Sequence, residues 1–147
     1  MKKVLFVCTG NTCRSPMAQE IFNSLCRERG LAYEAESAGV CTVTGLAMSE
    51  NSLEALREWG IESEGFTSTS LDELRLEDFE LIAVMSENHK RVLTEVFGAD
   101  ENKIRVMNVA DPYGSGIGIY RLCRDEIVQG VNMIIEELGD EDESRDT

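Results

Sequence analysis

A short segment near the N-terminus combines a nucleophile, hydrogen-bond donors and a fixed positive charge. Residues 8–15 read Cys-Thr-Gly-Asn-Thr-Cys-Arg-Ser. Arg14 carries a planar guanidinium that can bind two phosphate oxygens. Gly10 permits the positive φ that lets successive N–H groups of a curled loop face one anion. With the sulfur of Cys8 at its base, this loop is predicted to form a pocket for a tetrahedral dianion that the thiolate attacks.

Two further side chains of the segment are expected to support this chemistry. The Ser15 hydroxyl is placed to donate a hydrogen bond to the thiolate and to help its departure in a second step. The Asn11 amide is expected to brace the loop against neighbouring backbone. The residues expected to bind phosphate are Thr9, Gly10, Asn11, Thr12, Cys13, Arg14 and Ser15.

The elements on either side of the segment decide whether it can form such a pocket. Residues 4–7 are a continuous apolar run, which predicts a strand covered on both faces. Beyond the loop, Ser15 suits a helix N-cap, Pro16 the first helical position and Gly30 the residue past the end. The N-terminus of that helix adds partial positive charge and free N–H groups. This environment favours the thiolate form of Cys8.

The rest of the chain alternates between strand and helix patterns. This order predicts an α/β fold, a parallel sheet with helices on both faces, in a single domain over residues 1–139. Trp59 and Val96 are expected to face the core, and the acidic residues 140–147 to form a frayed tail. The further strands are predicted at residues 33–37, 81–85 and 104–107, and the further helices at residues 49–59, from 86 and after the turn at 111–114.

Asp111 is the predicted proton donor of the site. It follows the last predicted strand, and Pro112 stiffens the turn that presents it. Because the carboxyl ends of parallel strands meet at one edge of a sheet, Asp111 and Cys8 are expected on the same rim. Asp111 would protonate the leaving atom as general acid and then act as base on a hydrolytic water. This chemistry needs no metal and no cofactor.

Composition excludes several classes of function. The 147 residues carry a net charge of -14, which argues against nucleic acid and anionic membranes as partners. No apolar run approaches the roughly 18 to 20 residues of a membrane helix, and no signal peptide is recognised. The five cysteines are odd in number and lack a C-x2-C pair, so reduced thiols in the cytoplasm are expected and a structural zinc site is not.

The pattern Cys8-x5-Arg14-Ser15, with Asp111-Pro112 late in the chain, resembles the low-molecular-weight protein tyrosine phosphatase family. Residues 37–39, Ser-Ala-Gly, and Met85 with His89 are similar to that family as well. The resemblance implies a flavodoxin-like three-layer sandwich with four parallel strands in the order 2-1-3-4. It also implies that Cys8 is the nucleophile, Arg14 the phosphate ligand and Asp111 the general acid.

Two loop positions carry further implications of this resemblance. Cys13 matches the position where the family keeps a second cysteine, which forms a reversible disulfide with the nucleophile. Family members that act on phosphotyrosine often have isoleucine or leucine where this chain has Thr12, and threonine resembles the bacterial branch that dephosphorylates phosphoarginine in proteins. Tyr113 departs from the phenylalanine of that branch and is expected to shape the pocket. The predicted partners are phosphorylated proteins, and a monomer is expected.

Alternative functions remain open at this point. The first is a phosphotyrosine phosphatase of the same family. A second is an arsenate reductase, which needs two more cysteines after the third strand, whereas residues 79–98 contain none. A third is a non-catalytic phosphate-binding module, against which the complete set of Cys8, Arg14, Ser15 and Asp111 argues.

Five residues outside the loop are given ordinary structural interpretations. Cys26 and Cys123 fall on apolar helical stripes and are expected in the core. Cys41 is expected in a loop near the pocket mouth. His89, three residues after Ser86, is expected to take part in capping or to face solvent. Tyr120 is expected to pack within its helix stripe.

Overall fold

The first strand, β1 (Lys2–Cys8), lies in the interior of the sheet and is buried from Val4 to its end at Cys8. In the computed structural model, which describes the backbone of residues 1–146 and the side chains of residues 1–141, it pairs in parallel with two neighbours. These are β2 (Tyr33–Gly39) and β3 (Leu81–Val84), and β3 pairs with β4 (Ile104–Val106). The order is β2-β1-β3-β4, all parallel, as predicted.

Four helices cover the two faces of this sheet. Side chains alternate across a strand, so Val4 and Phe6 face one side of β1 while Leu5 and Val7 face the other. The helices are α1 (Arg14–Arg29), α2 (Glu50–Arg57), α3 (Glu87–Glu95) and α4 (Ile117–Asp146). The first pair packs with side chains of α1, α2 and α4, and the second pair packs with Leu93 of α3.

Helix α1 ends as predicted but begins differently. Gly30 adopts a φ of 66° after the last turn, the left-handed conformation in which glycine meets no Cβ penalty. At the other end the N-cap is Cys13, and α1 starts at Arg14. The prediction of Ser15 as N-cap is therefore wrong. Its hydroxyl lies instead against the sulfur of Cys8.

The apolar stripe of α4 is confirmed, whereas two expected core residues are exposed. Trp59 and Val96 are 43% and 72% exposed, since α2 ends at Arg57 and α3 at Glu95 and helical spacing no longer holds beyond those ends. Cys26 is buried, as predicted. The buried residues of the α4 stripe are Tyr120, Cys123, Ile127, Val131, Ile134 and Leu138.

The C-terminal segment continues as helix. Helix α4 extends through Asp146, past the Gly139 at which the predicted domain ends. Thr147 and the side chains of residues 142–147 lie outside the described residues, so the division into a domain of residues 1–139 and an acidic tail stays a prediction. Among the described residues, no helix has the length and apolar character required to cross a membrane.

Candidate active site

The predicted loop and the predicted acid line one cavity. It has a volume of about 250 Å³ and lies where β1 ends and α1 begins. Topology brings the two parts together, because residues 108–113 follow β4 and the carboxyl ends of β1 and β4 lie at the same edge of the sheet. The lining residues are Cys8, Thr9, Gly10, Asn11, Thr12, Cys13, Arg14, Asp111 and Tyr113.

The sulfur of Cys8 lies at the base of the loop with two polar neighbours. Ser15 Oγ is 2.8 Å from Cys8 Sγ, and the backbone N–H of Asn11 donates to the same sulfur at 3.3 Å. The Asn11 side-chain amide donates to Ser15 Oγ at 2.7 Å. Because that hydroxyl already accepts from Asn11, its own hydrogen is free to be donated to the sulfur. Both neighbours are thus placed to donate hydrogen bonds to the Cys8 sulfur.

Asn11 makes the sharp turn of the loop. Its φ is 55°, in the left-handed region, and its side chain is fully buried. The Thr69 N–H donates to Asn11 Oδ1 at 2.8 Å, which ties the loop to the segment beyond β2. Gly10 was expected to take the positive φ, and that expectation is wrong. Asparagine tolerates this conformation because its short side chain makes such hydrogen bonds.

The guanidinium of Arg14 is held from one side and faces the cavity with the other. Its Nη1 donates to the carbonyl oxygen of Val109 at 2.9 Å, and the residue is only 6% exposed. The N–H of Val109 donates to the carbonyl oxygen of Met85, just after β3, so the residue that holds Arg14 is itself fixed to the end of that strand. Arg14 Nη2 lies 3.9 Å from Asp111 Oδ2. The remaining donors of Arg14 are available to an anion in the cavity.

Asp111 and Tyr113 form the open side of the cavity. The Asp111 side chain is 53% exposed, and its Oδ1 accepts the Tyr113 N–H at 3.1 Å. The Tyr113 side chain is 79% exposed, so its ring stands at the mouth. The Asn51 amide of α2 donates to the carbonyl of Ser115 at 3.4 Å, which anchors the segment that follows.

Cys13 and Thr12 form another part of the cavity wall. Cys13 Sγ donates to Ser49 Oγ at 3.4 Å and lies 3.4 Å from the Tyr120 hydroxyl. Thr12 is half-buried, and its Oγ1 is 3.9 Å from the sulfur of Cys13. Burial and the contact with Cys13 raise the pKa of Tyr120 to about 12. Tyr120 thus packs in its stripe, as expected, and also contacts the loop.

Three residues outside the loop have notable positions. Cys41 is exposed in a loop, and Cys123 is buried with a pKa raised to about 12 by that burial. His89 was expected to take part in capping or to face solvent. Its N–H donates to the N-cap Ser86, so the capping expectation is confirmed, and at 3% exposure the side chain does not face solvent. Burial and the charge of Arg14 lower the pKa of His89 to about 4. His89 follows shortly after β3, and the carboxyl ends of β3 and β1 lie at the same edge of the sheet. This position in the sequence was a signal that His89 lies near the loop.

Comparison with known families decides the class of this protein. The family model described as low molecular weight phosphotyrosine protein phosphatase matches residues 3–144. The chain belongs to this family. It is therefore a cysteine-dependent protein phosphatase, of a class that works without a metal ion. Among the described residues, no three His, Cys, Asp or Glu side chains are grouped to hold a metal.

Relatives of this phosphatase carry two kinds of name. It is 33% identical to the protein-arginine-phosphatase of Bacillus subtilis (strain 168), over 92% of this chain and 95% of the relative. It is 30% identical to the low molecular weight protein-tyrosine-phosphatase PtpB of Staphylococcus epidermidis, over 90% of this chain and 96% of the relative. Both are similar across nearly their whole length, so family membership leaves the substrate open.

A solved structure supports the fold of the phosphatase. The low molecular weight protein tyrosine phosphatase from T. tengcongensis superimposes with a TM-score of 0.88 at 36% sequence identity. The superposition covers 93% of this chain and 99% of that one. The predicted flavodoxin-like architecture is thereby confirmed.

Proposed function

We propose that this phosphatase hydrolyses phosphoarginine in proteins, with Cys8 as nucleophile and a cysteinyl-phosphate as intermediate. The observation that carries the substrate assignment is the position of Thr12. This half-buried residue lines the cavity beside Cys13, where it presents a hydroxyl and a small methyl group. The similarity to a protein named as an arginine phosphatase supports the same assignment.

The first chemical step forms a sulfur–phosphorus bond. The thiolate of Cys8 attacks phosphorus opposite the bridging nitrogen, and the N–P bond breaks with its electron pair left on that nitrogen. Asp111 gives its proton to the nitrogen as general acid, so a neutral carboxyl becomes a carboxylate. Arg14 and the N–H groups of the loop bind the three equatorial oxygens, whose charge is greatest in the transition state.

The second step restores the enzyme. The Asp111 carboxylate takes a proton from a water molecule as that water attacks phosphorus. The S–P bond breaks, inorganic phosphate leaves, and the electron pair returns to Cys8 as thiolate. The Ser15 hydroxyl, 2.8 Å from the sulfur, stabilises this leaving group. Asp111 is again protonated, so the cycle closes.

The open side of the cavity fits a guanidinium leaving group. Asp111 is half exposed beside the mouth, and the protein carries a net charge of -14. A guanidinium is planar, cationic and rich in donors, so an acidic surrounding favours it over a neutral phenol. Thr12 leaves more room at the cavity wall than isoleucine would, and its hydroxyl can accept from such a group.

Phosphotyrosine is the second candidate substrate. The observation that favours it is Tyr113, an exposed ring at the cavity mouth that can stack on a phenyl group. A relative named as a tyrosine phosphatase covers nearly as much of the chain.

The test is a comparison of kcat/KM on one peptide carrying phosphoarginine or phosphotyrosine. We expect the parent to prefer phosphoarginine and Thr12→Ile to lose or invert that preference. Thr94→Ile on α3, outside the cavity, is the matched control and should keep the parent preference. A parent that prefers phosphotyrosine would overturn the substrate assignment and leave the cysteine chemistry in place.

We also propose that Cys13 protects Cys8 from irreversible oxidation. When a peroxide oxidises Cys8 to a sulfenic acid, the Cys13 sulfur attacks that sulfur, the S–O bond breaks with loss of water, and a Cys8–Cys13 disulfide forms. In this structure all five cysteines are free, and Cys13 Sγ is held by the hydroxyls of Ser49 and Tyr120. Oxidation would require Cys13 to leave these two contacts. Since catalysis needs Cys8 reduced, as the thiolate, we place the enzyme in the reducing cytoplasm. Its monomeric state stays a prediction.

A further inference from the structure

The imidazole ring of His89 connects α3 to the phosphate-binding loop. Its Nδ1 lies 2.8 Å from Ser86 Oγ, and its Nε2 lies 2.9 Å from Thr9 Oγ1. The ring is 3% exposed. The contact joins residues 80 positions apart, directly beside Cys8 in the sequence.

Thr9 is held on two sides as a result. Its carbonyl oxygen accepts the Cys41 N–H at 3.0 Å, and its side-chain hydroxyl meets His89. In a planar trans peptide, the N–H of the next residue points opposite to that carbonyl. The N–H of Gly10, which lines the cavity, is therefore directed away from Cys41. The orientation of the Thr9–Gly10 peptide thus sets the direction of the Gly10 N–H.

We propose that His89 is a positioning residue for phosphoryl transfer. Through the Thr9 hydroxyl it holds the first turn of the loop in the orientation that the transition state requires. The inference rests on the cysteine phosphatase activity of the family and not on the choice between phosphoarginine and phosphotyrosine.

A neutral ring suits this role. Neutral imidazole has one donor and one acceptor, so it can accept from one hydroxyl and donate to the other. Either tautomer joins Ser86 to Thr9, because each hydroxyl can act as donor or acceptor. Burial and the nearby Arg14 guanidinium keep the pKa of His89 at about 4, while Asp111 opposes this shift. The link is therefore made by the neutral ring at neutral pH.

Capping of α3 does not explain the ring. Ser86 Oγ caps the helix by accepting the backbone N–H of His89 at 3.3 Å. Any residue except proline at position 89 supplies that N–H. The imidazole makes the additional contact to Thr9, which the helix cap does not require.

The experiment compares two amides that each replace half of the ring. In His89→Asn the amide reaches the place of Nδ1 beside Ser86, and in His89→Gln it reaches that of Nε2 beside Thr9. We expect His89→Asn to lower kcat on an aryl phosphate about 3- to 10-fold, the size of one lost hydrogen bond, and His89→Gln to restore most of it. Circular dichroism checks that each variant is folded at the assay temperature.

A second pair of variants tests the partner. Thr9→Val removes the hydroxyl at similar size and should lower kcat like His89→Asn, while Thr9→Ser should keep most of the activity. The double variant His89→Asn/Thr9→Val should be no worse than either alone, because both remove one contact. Equal loss in His89→Asn and His89→Gln, additive losses in the double variant, or unchanged kcat in Thr9→Val would each overturn the proposal.

The aryl phosphate separates this inference from the substrate assignment. If the parent hydrolyses aryl phosphate but prefers phosphotyrosine to phosphoarginine, the substrate proposal fails. The predicted pattern among the His89 and Thr9 variants would then still support a positioning role.

Discussion

The two sides of the cavity differ in how firmly they are held. The loop side, residues 8–15, is mostly buried: Asn11 and Ser15 are fully covered and Arg14 is 6% exposed, whereas Thr9 is exposed and Gly10 and Thr12 are half-buried. The acid side, residues 111–113, is open, with the Asp111 side chain 53% and Tyr113 79% exposed. In the proposed mechanism the loop side binds the phosphoryl group, which is the same in every substrate. The acid side would meet the leaving group, which differs between substrates.

This contrast links the loop side to the rate on every substrate and the acid side to selectivity between substrates. Donors aimed at a transition state help most when they need no reorganisation, and hydrogen bonds to Val109, Thr69 and Ser15 hold the loop side in place. A leaving group attached to a protein requires an accessible proton donor, so Asp111 must stand at the surface. Changes on the loop side should affect all substrates, and changes on the acid side should affect them unequally.

The largest expected effect is that of Asp111→Asn. Loss of the general acid should lower kcat on an aryl phosphate about 10²- to 10⁴-fold. The loss on phosphoarginine should be smaller, because the N–P bond is more labile and needs less help. Steady-state kinetics on both substrates measures the two ratios. Equal losses on both would contradict the assignment of substrate dependence to the acid side.

Asn11→Ala tests the bracing of the loop side. It removes the hydrogen bonds to Thr69 and Ser15 at a residue with a φ of 55°. We expect a loss of about 1 to 3 kcal/mol in the free energy of unfolding, measured in urea, and a lower kcat on every substrate.

Asn108→Ala is the matched control for this change. Asn108 has nearly the same φ, 57°, but is exposed and outside the cavity lining. Asn108→Ala introduces similar backbone strain but removes no hydrogen bond to the loop, so kcat should stay at the parent value. If both variants lose stability equally and neither loses activity, the hydrogen bonds of Asn11 do not brace the loop.

His89 makes the stability of the loop side dependent on pH. Its pKa is lowered from the ordinary 6.5 to about 4 in the folded protein. Between these values the unfolded chain binds a proton that the folded one does not, so stability falls as pH falls from 6.5 towards 4. Urea midpoints at pH 7.5 and pH 5 should therefore differ more for the parent than for His89→Gln. An identical pH dependence in the two proteins would contradict the lowered pKa.

The smallest effect is expected from Tyr113→Phe. The hydroxyl is at the exposed mouth, so its loss should change kcat/KM by less than about threefold. Tyr113→Ala removes the ring and should raise KM on phosphotyrosine more than on phosphoarginine. A larger effect of Tyr113→Ala on phosphoarginine would mean that the ring contacts the guanidinium instead.

Much of the fold was predictable because its signals are local. Continuous apolar runs predicted β1 and β3, and the stripe of α4 predicted its buried face. Predictions failed at helix ends: Trp59 and Val96 continue the helical spacing in sequence but lie beyond the last turns. Spacing alone cannot detect where a backbone stops being helical.

The sequence by itself determined the chemistry of the site and its location in the fold. Cys8 and Arg14 lie within one contiguous segment between a strand and a helix, and strand order places Asp111 at the same edge. The tertiary structure decided how those groups are held. Asn11, and not Gly10, takes the positive φ because Thr69, 58 positions away, satisfies its side chain. The buried position of His89 against Thr9 likewise depends on contacts between distant segments, whose partners no local pattern specifies.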